Sequence, residues 1–167
     1  MIKDKILSLL ETYGFEYKYL EHEETPTSQD SARVRGSRLE EGAKAIILKE
    51  KRSGENIMVV ISGHLKINIK SVESKVRDYR KAFDKDFHQK IELTFETPSV
   101  ILERYGVMIG GIPPFGELMG VTTFYDRNIF NNEKMDFNCG ERTCSIEMKT
   151  IDYKKIIDNS KIGEYSK

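Results

Sequence analysis

Apolar residues recur along this chain with two different periods. The apolar positions within residues 2–13 follow the helical period, and Gly14 after them is a residue that commonly ends a helix. Elsewhere apolar and polar residues alternate singly, as in a half-buried strand, and the continuous apolar run 57–61 predicts a strand buried on both faces. These patterns predict further helices at 28–35, 69–80, 98–105 and 152–158, and further strands at 15–20, 43–49, 90–95, 121–125, 135–139 and 144–148.

The order of helices and strands indicates a mixed α/β fold. We expect a curved, mostly antiparallel sheet that forms a partly closed barrel, with the helices packed outside it. A chain of 167 residues can bury enough apolar surface for one compact domain, so a single domain over residues 1–167 is the expectation. The polar residues 159–167 are expected to form a flexible tail.

The charges are balanced overall but unevenly distributed. Twenty-seven basic and 27 acidic residues give a formal net charge of zero, which argues against binding nucleic acid by charge alone. Residues 33–90 nevertheless contain fifteen Lys and Arg against eight Asp and Glu. A locally basic lobe on a neutral protein suits an enzyme that touches an RNA end and releases it, and ordinary solvated charge on helix faces explains it equally well.

The composition also limits the expected cellular compartment and the kinds of metal and cysteine chemistry to consider. The sequence has neither a membrane-length apolar run nor the apolar region of a signal peptide, so a cytoplasmic protein is expected. Cys139 and Cys144 are too few for a disulfide framework or a four-ligand zinc site. We therefore expect no metal, no cofactor and no membrane partner, and we expect the two cysteines to be free thiols facing each other across a hairpin.

The segment 106–116 is rich in glycine and proline and connects a predicted helix to a predicted strand. Glycine permits a positive φ and close approach of a ligand, whereas Pro113 and Pro114 fix φ and remove two N–H groups. Converging amides in such a loop bind an oxyanion or a phosphate, and a rigid turn without a ligand explains the same composition. The main-chain donors in question are those of Gly110, Gly111, Ile112, Phe115 and Gly116.

This loop also carries a resemblance to a known family. The run Gly110-x-x-x-Pro114-Phe115-Gly116 resembles the Gly-x-x-x-Pro loop of the YbaK-type deacylases, which are relatives of the editing domain inserted in bacterial prolyl-tRNA synthetases. Pro113 stands where Ser or another small polar residue is more usual in that family, which leaves the choice of substrate open. Across residues 15–157, further motifs follow in that family's order: His22 before a Pro-Thr-Ser segment, Ala43-Lys44 at the start of a strand, Ser62-Gly63 at the end of the next, and Gly140 before the last strand.

Lys44 has two interpretations. It shares a face of its predicted strand with Ile46 and Leu48, and a lysine at a strand end can simply extend its ammonium group into water. The resemblance instead implies an active-site lysine that holds the RNA end or polarises the ester carbonyl. For hydrolysis of such an ester, the amides of Gly110, Gly111 and Ile112 are the candidate donors to the oxyanion.

Other residues that the resemblance places near the substrate also have structural explanations. Thr27 and Ser28 stand where a helix cap is expected, Ser62 and Gly63 stand at a strand-to-loop turn, and a lone histidine is often structural. The expected substrate-binding residues are His22, Thr27, Ser28, Ser62, Gly63, Pro114 and Phe115. Lys70, Lys75, Arg77 and Arg80 form a basic helix face that could contact sugar-phosphate or solvent.

The reaction follows from the missing nucleophile motifs and from the resemblance. No Gly-x-Ser-x-Gly elbow, Walker loop or His-Glu-x-x-His is present, so a reaction that needs no protein nucleophile fits best. The resemblance implies a free-standing deacylase that acts on the 3′ end of mischarged aminoacyl-tRNA, with tRNA(Pro) as the expected carrier. It also allows an aminoacyl-tRNA synthetase as a further partner. Two alternatives stay open: a non-catalytic tRNA- or synthetase-binding module of the same fold, and a nucleotide-binding barrel. The sequence does not reveal which amino acid is removed.

Overall fold

A computed structural model describes residues 1–24 and 27–167. These residues form five α-helices and eight strands, and each predicted helix and strand overlaps an observed one. The helices are α1 (Ile2–Tyr13), α2 (Ser28–Arg35), α3 (Ile69–Phe83), α4 (Pro98–Tyr105) and α5 (Thr150–Lys155). The strands are β1 (Tyr17–Glu21), β2 (Ala43–Glu50), β3 (Asn56–Ser62), β4 (Leu93–Phe95), β5 (Thr122–Asp126), β6 (Lys134–Asn138), β7 (Cys144–Lys149) and β8 (Ile162–Gly163).

The strands form two sheets. One is antiparallel with the order β1-β7-β6, and the other is mixed with the order β4-β2-β3-β5-β8. The mixed α/β class is thus confirmed, but neither sheet of the described chain closes into a barrel, so that expectation was wrong. Among the described residues, the edge strands β4 and β8 of the mixed sheet do not pair with each other, and neither do the edge strands β1 and β6 of the antiparallel sheet.

The mixed sheet separates two hydrophobic cores. Met58 and Val60 of β3 face the core shared with α1 and the antiparallel sheet, whereas Val59 and Ile61 face the core beneath α3. All four side chains are fully buried, which confirms the prediction that this strand is covered on both faces. No helix of the described chain is long and apolar enough to cross a membrane.

Residues 159–167 are packed against the protein, which corrects the expectation of a flexible tail. The strand β8 pairs with β5, and Tyr165 is 1% exposed. The buried carboxylate of Asp126 accepts hydrogen bonds from the Tyr165 amide at 2.7 Å and the Ser166 hydroxyl at 2.8 Å. These bonds and the burial of Tyr165 hold the end of the chain in place.

The two cysteines also differ from expectation. Cys139 and Cys144 are joined as a buried disulfide across the β6–β7 turn, so they are not free thiols. Alternation along the two strands correctly put both side chains on the apolar face, but it could not indicate whether the sulfur atoms are bonded.

Candidate active site

A cavity of about 210 Å³ opens where the two sheets separate. A parallel bridge joins Gly42, directly before β2, to Asp136 of β6, and both residues line the cavity. Helix α2 covers one side, and the glycine-proline loop closes another. Residues lining the cavity include Thr27, Ser31 and Arg35 from α2 and its cap, 42–46 at the start of β2, Gly63, Gly110 and Ile112 from the loop, and Asp136 and Asn138 from β6.

Lys44 lines this cavity and is half-buried. Its Nζ atom donates to the Gly63 carbonyl oxygen at 3.4 Å, and Gly63 lines the cavity as well. Burial lowers the pKa of the Lys44 ammonium group, and the neighbouring charge of Lys66 lowers it further. The fold therefore holds a partly desolvated ammonium group at the cavity wall, where it interacts more strongly with a substrate oxygen than it would in water.

The loop opposite Lys44 contains Gly110 in a conformation that favours glycine. Gly110 has φ +89°, and a Cβ atom there would lie 3.2 Å from Nε of Arg142. The same Nε donates to the Ile109 carbonyl oxygen at 2.7 Å, and Nη1 of Arg142 donates to Glu24 at 3.0 Å. Arg142 thereby fixes the loop beside the cavity.

One of the three expected oxyanion donors is already bonded within the loop. The Gly111 amide donates to the Met108 carbonyl at 2.9 Å, and the Gly111 carbonyl accepts from Gly140 at 2.9 Å, so Gly111 closes a turn and its role as a donor is corrected. Gly110 and Ile112 both line the cavity. No main-chain carbonyl of the described residues accepts from the amides of Gly110 and Ile112.

Pro114 and Phe115 anchor the loop and do not line the cavity. The buried Tyr153 hydroxyl donates to the Pro114 carbonyl at 2.5 Å. The Phe115 ring packs edge-to-face against Phe137, at 5.3 Å between centroids, and against Tyr153, at 5.6 Å. Both residues were expected to contact substrate, but their contacts are with the core, which explains why an apolar ring follows the prolines.

Thr27 serves as a helix cap and also lines the cavity. Its Oγ1 atom accepts from the Asp30 amide at 3.1 Å, which confirms the cap, so its two interpretations are compatible. Ser28 is the first residue of α2, and its side chain lies outside the described part of the protein.

The other three expected substrate-binding residues are divided between the cavity and its surroundings. Gly63 lines the cavity and donates its amide to the Gly42 carbonyl at 2.7 Å. Ser62 is fully buried, does not line the cavity, and its hydroxyl has no partner among the described residues. His22 does not line the cavity either, because its ring is bonded to the Glu23 carbonyl at 2.6 Å and the Ser145 hydroxyl at 2.7 Å.

A buried ion pair forms one wall, and sequence reasoning missed it. Arg35 donates to Asp136 Oδ1 at 2.6 Å, to Asn138 Oδ1 at 2.9 Å and to Ser145 Oγ at 2.7 Å. The side chains of Arg35 and Asp136 are only 7% and 3% exposed. Burial raises the pKa of the Asp136 carboxyl, and the charge of Arg35 partly offsets this effect. Since His22 bonds the same Ser145 hydroxyl, it lies one residue behind this wall.

One signal could have indicated part of this wall. Asp136 and Asn138 alternate with the apolar residues of the predicted strand 135–139, so both lie on its second face. Nothing in the local pattern of α2 marks Arg35 as buried. Among the described residues, no three His, Cys, Asp or Glu side chains are grouped as metal ligands.

The family model for the aminoacyl-tRNA editing domain matches residues 22–156, which include every part of the cavity described above. The chain belongs to the aminoacyl-tRNA editing domain family. This result confirms the resemblance to the YbaK-type deacylases and makes the protein an aminoacyl-tRNA deacylase by family.

Relatives and solved structures agree with this assignment. The chain is 24% identical over 155 residues to the multifunctional Ser/Thr-tRNA deacylase ProXp-y of Escherichia coli K12, which covers 91% of this chain and 86% of that protein. The structure of the hypothetical protein APE2540 has a TM-score of 0.78 at 18% identity and covers 98% of this chain and 99% of its own. A candidate trans-editing enzyme for prolyl-tRNA synthetase has a TM-score of 0.72 at 17% identity, with coverage of 99% and 96%. At these identities, the two structures show a shared fold.

Proposed function

We propose that this protein hydrolyses the ester bond of mischarged aminoacyl-tRNA in trans, after the tRNA has left a synthetase. The aminoacyl group occupies the cavity between β2 and β6, Lys44 attracts the ester carbonyl, and the amides of Gly110 and Ile112 complete the site for the oxyanion. One observation supports this proposal above the others: Lys44, Gly110 and Ile112 line the same cavity in a chain of the editing family, and Nζ of Lys44 bonds the carbonyl of Gly63 in its wall.

The proposed chemistry needs no protein nucleophile. A water molecule adds to the ester carbonyl carbon and forms a tetrahedral oxyanion. The carbon–oxygen bond to the ribose then breaks, the ribose oxygen takes up a proton originating from the water, and a free amino acid and an uncharged tRNA result. An aminoacyl ester is already activated, so orientation of the ester and stabilisation of the oxyanion supply the acceleration. Removing one oxyanion donor commonly costs about 100- to 1,000-fold in rate.

The size and polarity of the cavity favour a small aminoacyl group. A volume of about 210 Å³ is below the roughly 300–1,000 Å³ typical of sites for larger ligands, so the cavity suits an amino acid better than a whole nucleotide. The wall formed by Arg35 and Asp136 offers polar groups to a hydroxylated side chain. Together with the E. coli relative, this indicates seryl and threonyl esters as substrates, and the resemblance to prolyl-tRNA synthetase editing domains indicates tRNA(Pro) as a carrier.

A panel of charged tRNAs tests this proposal. The same tRNA(Pro) is charged with Ser, Thr, Ala, Cys or Pro, seryl groups are also placed on other tRNAs, and amino acid release is followed over time. We expect release of seryl and threonyl groups to exceed release of prolyl groups. Binding of tRNA or a synthetase without any release would favour the non-catalytic module, and binding of free nucleotides without release would favour the nucleotide-binding alternative.

A further inference from the structure

A short segment leads from the cavity wall to helix α3 and is held firmly along its length. Gly63, which lines the cavity, is followed by a turn in which the Leu65 amide donates to the Ser62 carbonyl at 3.1 Å. The Lys66 amide then donates to the Lys167 carbonyl at 3.0 Å, and the Lys66 carbonyl accepts from the Lys167 amide at 2.8 Å. The main chain of Lys66, three residues beyond Gly63, is therefore held in place, while its side chain is exposed.

The cations in this region lack carboxylate partners. Within the described chain, no carboxylate forms an ion pair with Lys44, Lys66 or Lys70, whereas Arg80, farther along α3, pairs with Glu50. Because its charge is already paired, Arg80 is not among the residues of the basic face of α3 that are available to contact RNA. Burial is the main cause of the lowered pKa of Lys44, and the charge of Lys66 lowers it further. An anion placed beside the two lysines would offset this second effect.

Lys70 extends the positive charge from Lys66 onto the start of α3. It is exposed and stands in the first turn of the helix, which contains no acidic residue. The first turn is where acidic side chains stabilise a helix, so a lysine there contributes little to folding. The positive charge of Lys70 is therefore better matched to an anionic ligand than to helix stability.

The position of the ester indicates which anion Lys66 and Lys70 would bind. If the terminal ribose carries its aminoacyl group into the cavity, the next charged group along the RNA is the phosphodiester on the 5′ side of that ribose. We propose that Lys66 and Lys70 bind the phosphodiesters nearest the 3′ end of the tRNA, so that Lys44 is left for the ester. This inference rests on the proposed function, because it uses the same cavity for the aminoacyl group.

Substrates with and without phosphate test this inference. Lys66→Gln and Lys70→Gln are compared with the wild type on seryl-tRNA and on 2′(3′)-O-seryladenosine, which has the ester and the ribose but no phosphate. We expect each variant to lose about 10-fold in kcat/KM on seryl-tRNA and to retain wild-type activity on seryladenosine. An equal loss on both substrates would overturn the inference, because the lysines would then act on the ester or on folding. No loss on either substrate would overturn it as well.

Lys85→Gln is the matched control. It removes the same charge from an exposed lysine beyond the far end of α3, which at 15 residues is about 22 Å long. The affinity for uncharged tRNA, measured by filter binding over a range of salt concentrations, gives a readout that does not depend on hydrolysis. The slope of log affinity against log salt should become less steep by about 0.7 for each of Lys66 and Lys70, and should be unchanged for Lys85. Slopes equal to that of the wild type in the Lys66 and Lys70 variants would contradict the inference, even if the wild type does not hydrolyse seryl-tRNA. Altered slopes in the two variants, together with no hydrolysis by the wild type, would contradict the proposed function alone.

Discussion

Gly110→Ala tests whether the geometry of the loop, and not its composition, supports hydrolysis. Gly110 has φ +89°, where a residue with a Cβ atom is strained by about 1–3 kcal/mol, and the new Cβ would lie 3.2 Å from Nε of Arg142. The loop relieves only part of this strain by shifting, so the melting temperature should fall by about 2–12 °C. The shift turns the Gly110 amide away from the cavity, so deacylation should fall by about 100- to 1,000-fold.

Gly54→Ala is the matched control for this strain. Gly54 has φ +77° and nothing within 4 Å of a Cβ atom, and it lies at the turn between β2 and β3, at the other end of β2 from the cavity. Both variants are compared by thermal unfolding and by single-turnover release of serine from seryl-tRNA. We expect both to be less stable and only Gly110→Ala to lose activity beyond what its folded fraction explains. Equal activity in the two variants would refute the assignment of this loop to the active site.

Two further predictions concern charged residues of the cavity. If Lys44 acts as an ammonium group, its lowered pKa means that enzymatic deacylation, corrected for spontaneous hydrolysis, declines as the pH rises through a value below the pKa of ordinary lysine. Lys44→Arg should move this decline to higher pH. An increase of activity through the same pH range would instead indicate that Lys44 acts as a neutral amine base. Arg35→Met leaves the buried Asp136 carboxylate without its partner and should lower the free energy of unfolding in urea by about 3–5 kcal/mol. Arg33→Met on the same helix removes an exposed pair with Glu23 and should lower it by less than about 1 kcal/mol. Similar losses of stability in the two variants would contradict the importance of the buried pair.

Most helices and strands could be predicted because each depends on residues close together in the sequence. Gly14, Gly36 and Gly106 end α1, α2 and α4 in the left-handed conformation, as their positions after apolar-periodic segments suggested. Sheet topology could not be predicted in this way. The parallel pairing of β3 with β5 depends on a crossover of about 60 residues, and local alternation does not distinguish it from an antiparallel pairing.

The candidate site was predicted in part for the same reason. Lys44 and Gly110 carry signals in their own segments, namely a lysine in phase with apolar residues and a glycine-proline loop. Arg35 carries none, because its burial depends on Asp136, which is 101 residues away in the chain. The Gly111 amide was misassigned because composition does not indicate which amide of a loop closes an internal turn.

Single-turnover hydrolysis of seryl-tRNA by the wild type and by Lys44→Met tests the proposed function most directly. Lys44 is half-buried and forms no ion pair with any described carboxylate, so the variant should fold normally. We expect Lys44→Met to bind tRNA still and to release serine at least about 100-fold more slowly than the wild type. Equal rates of serine release in the two proteins would contradict the role of Lys44 in the proposed function.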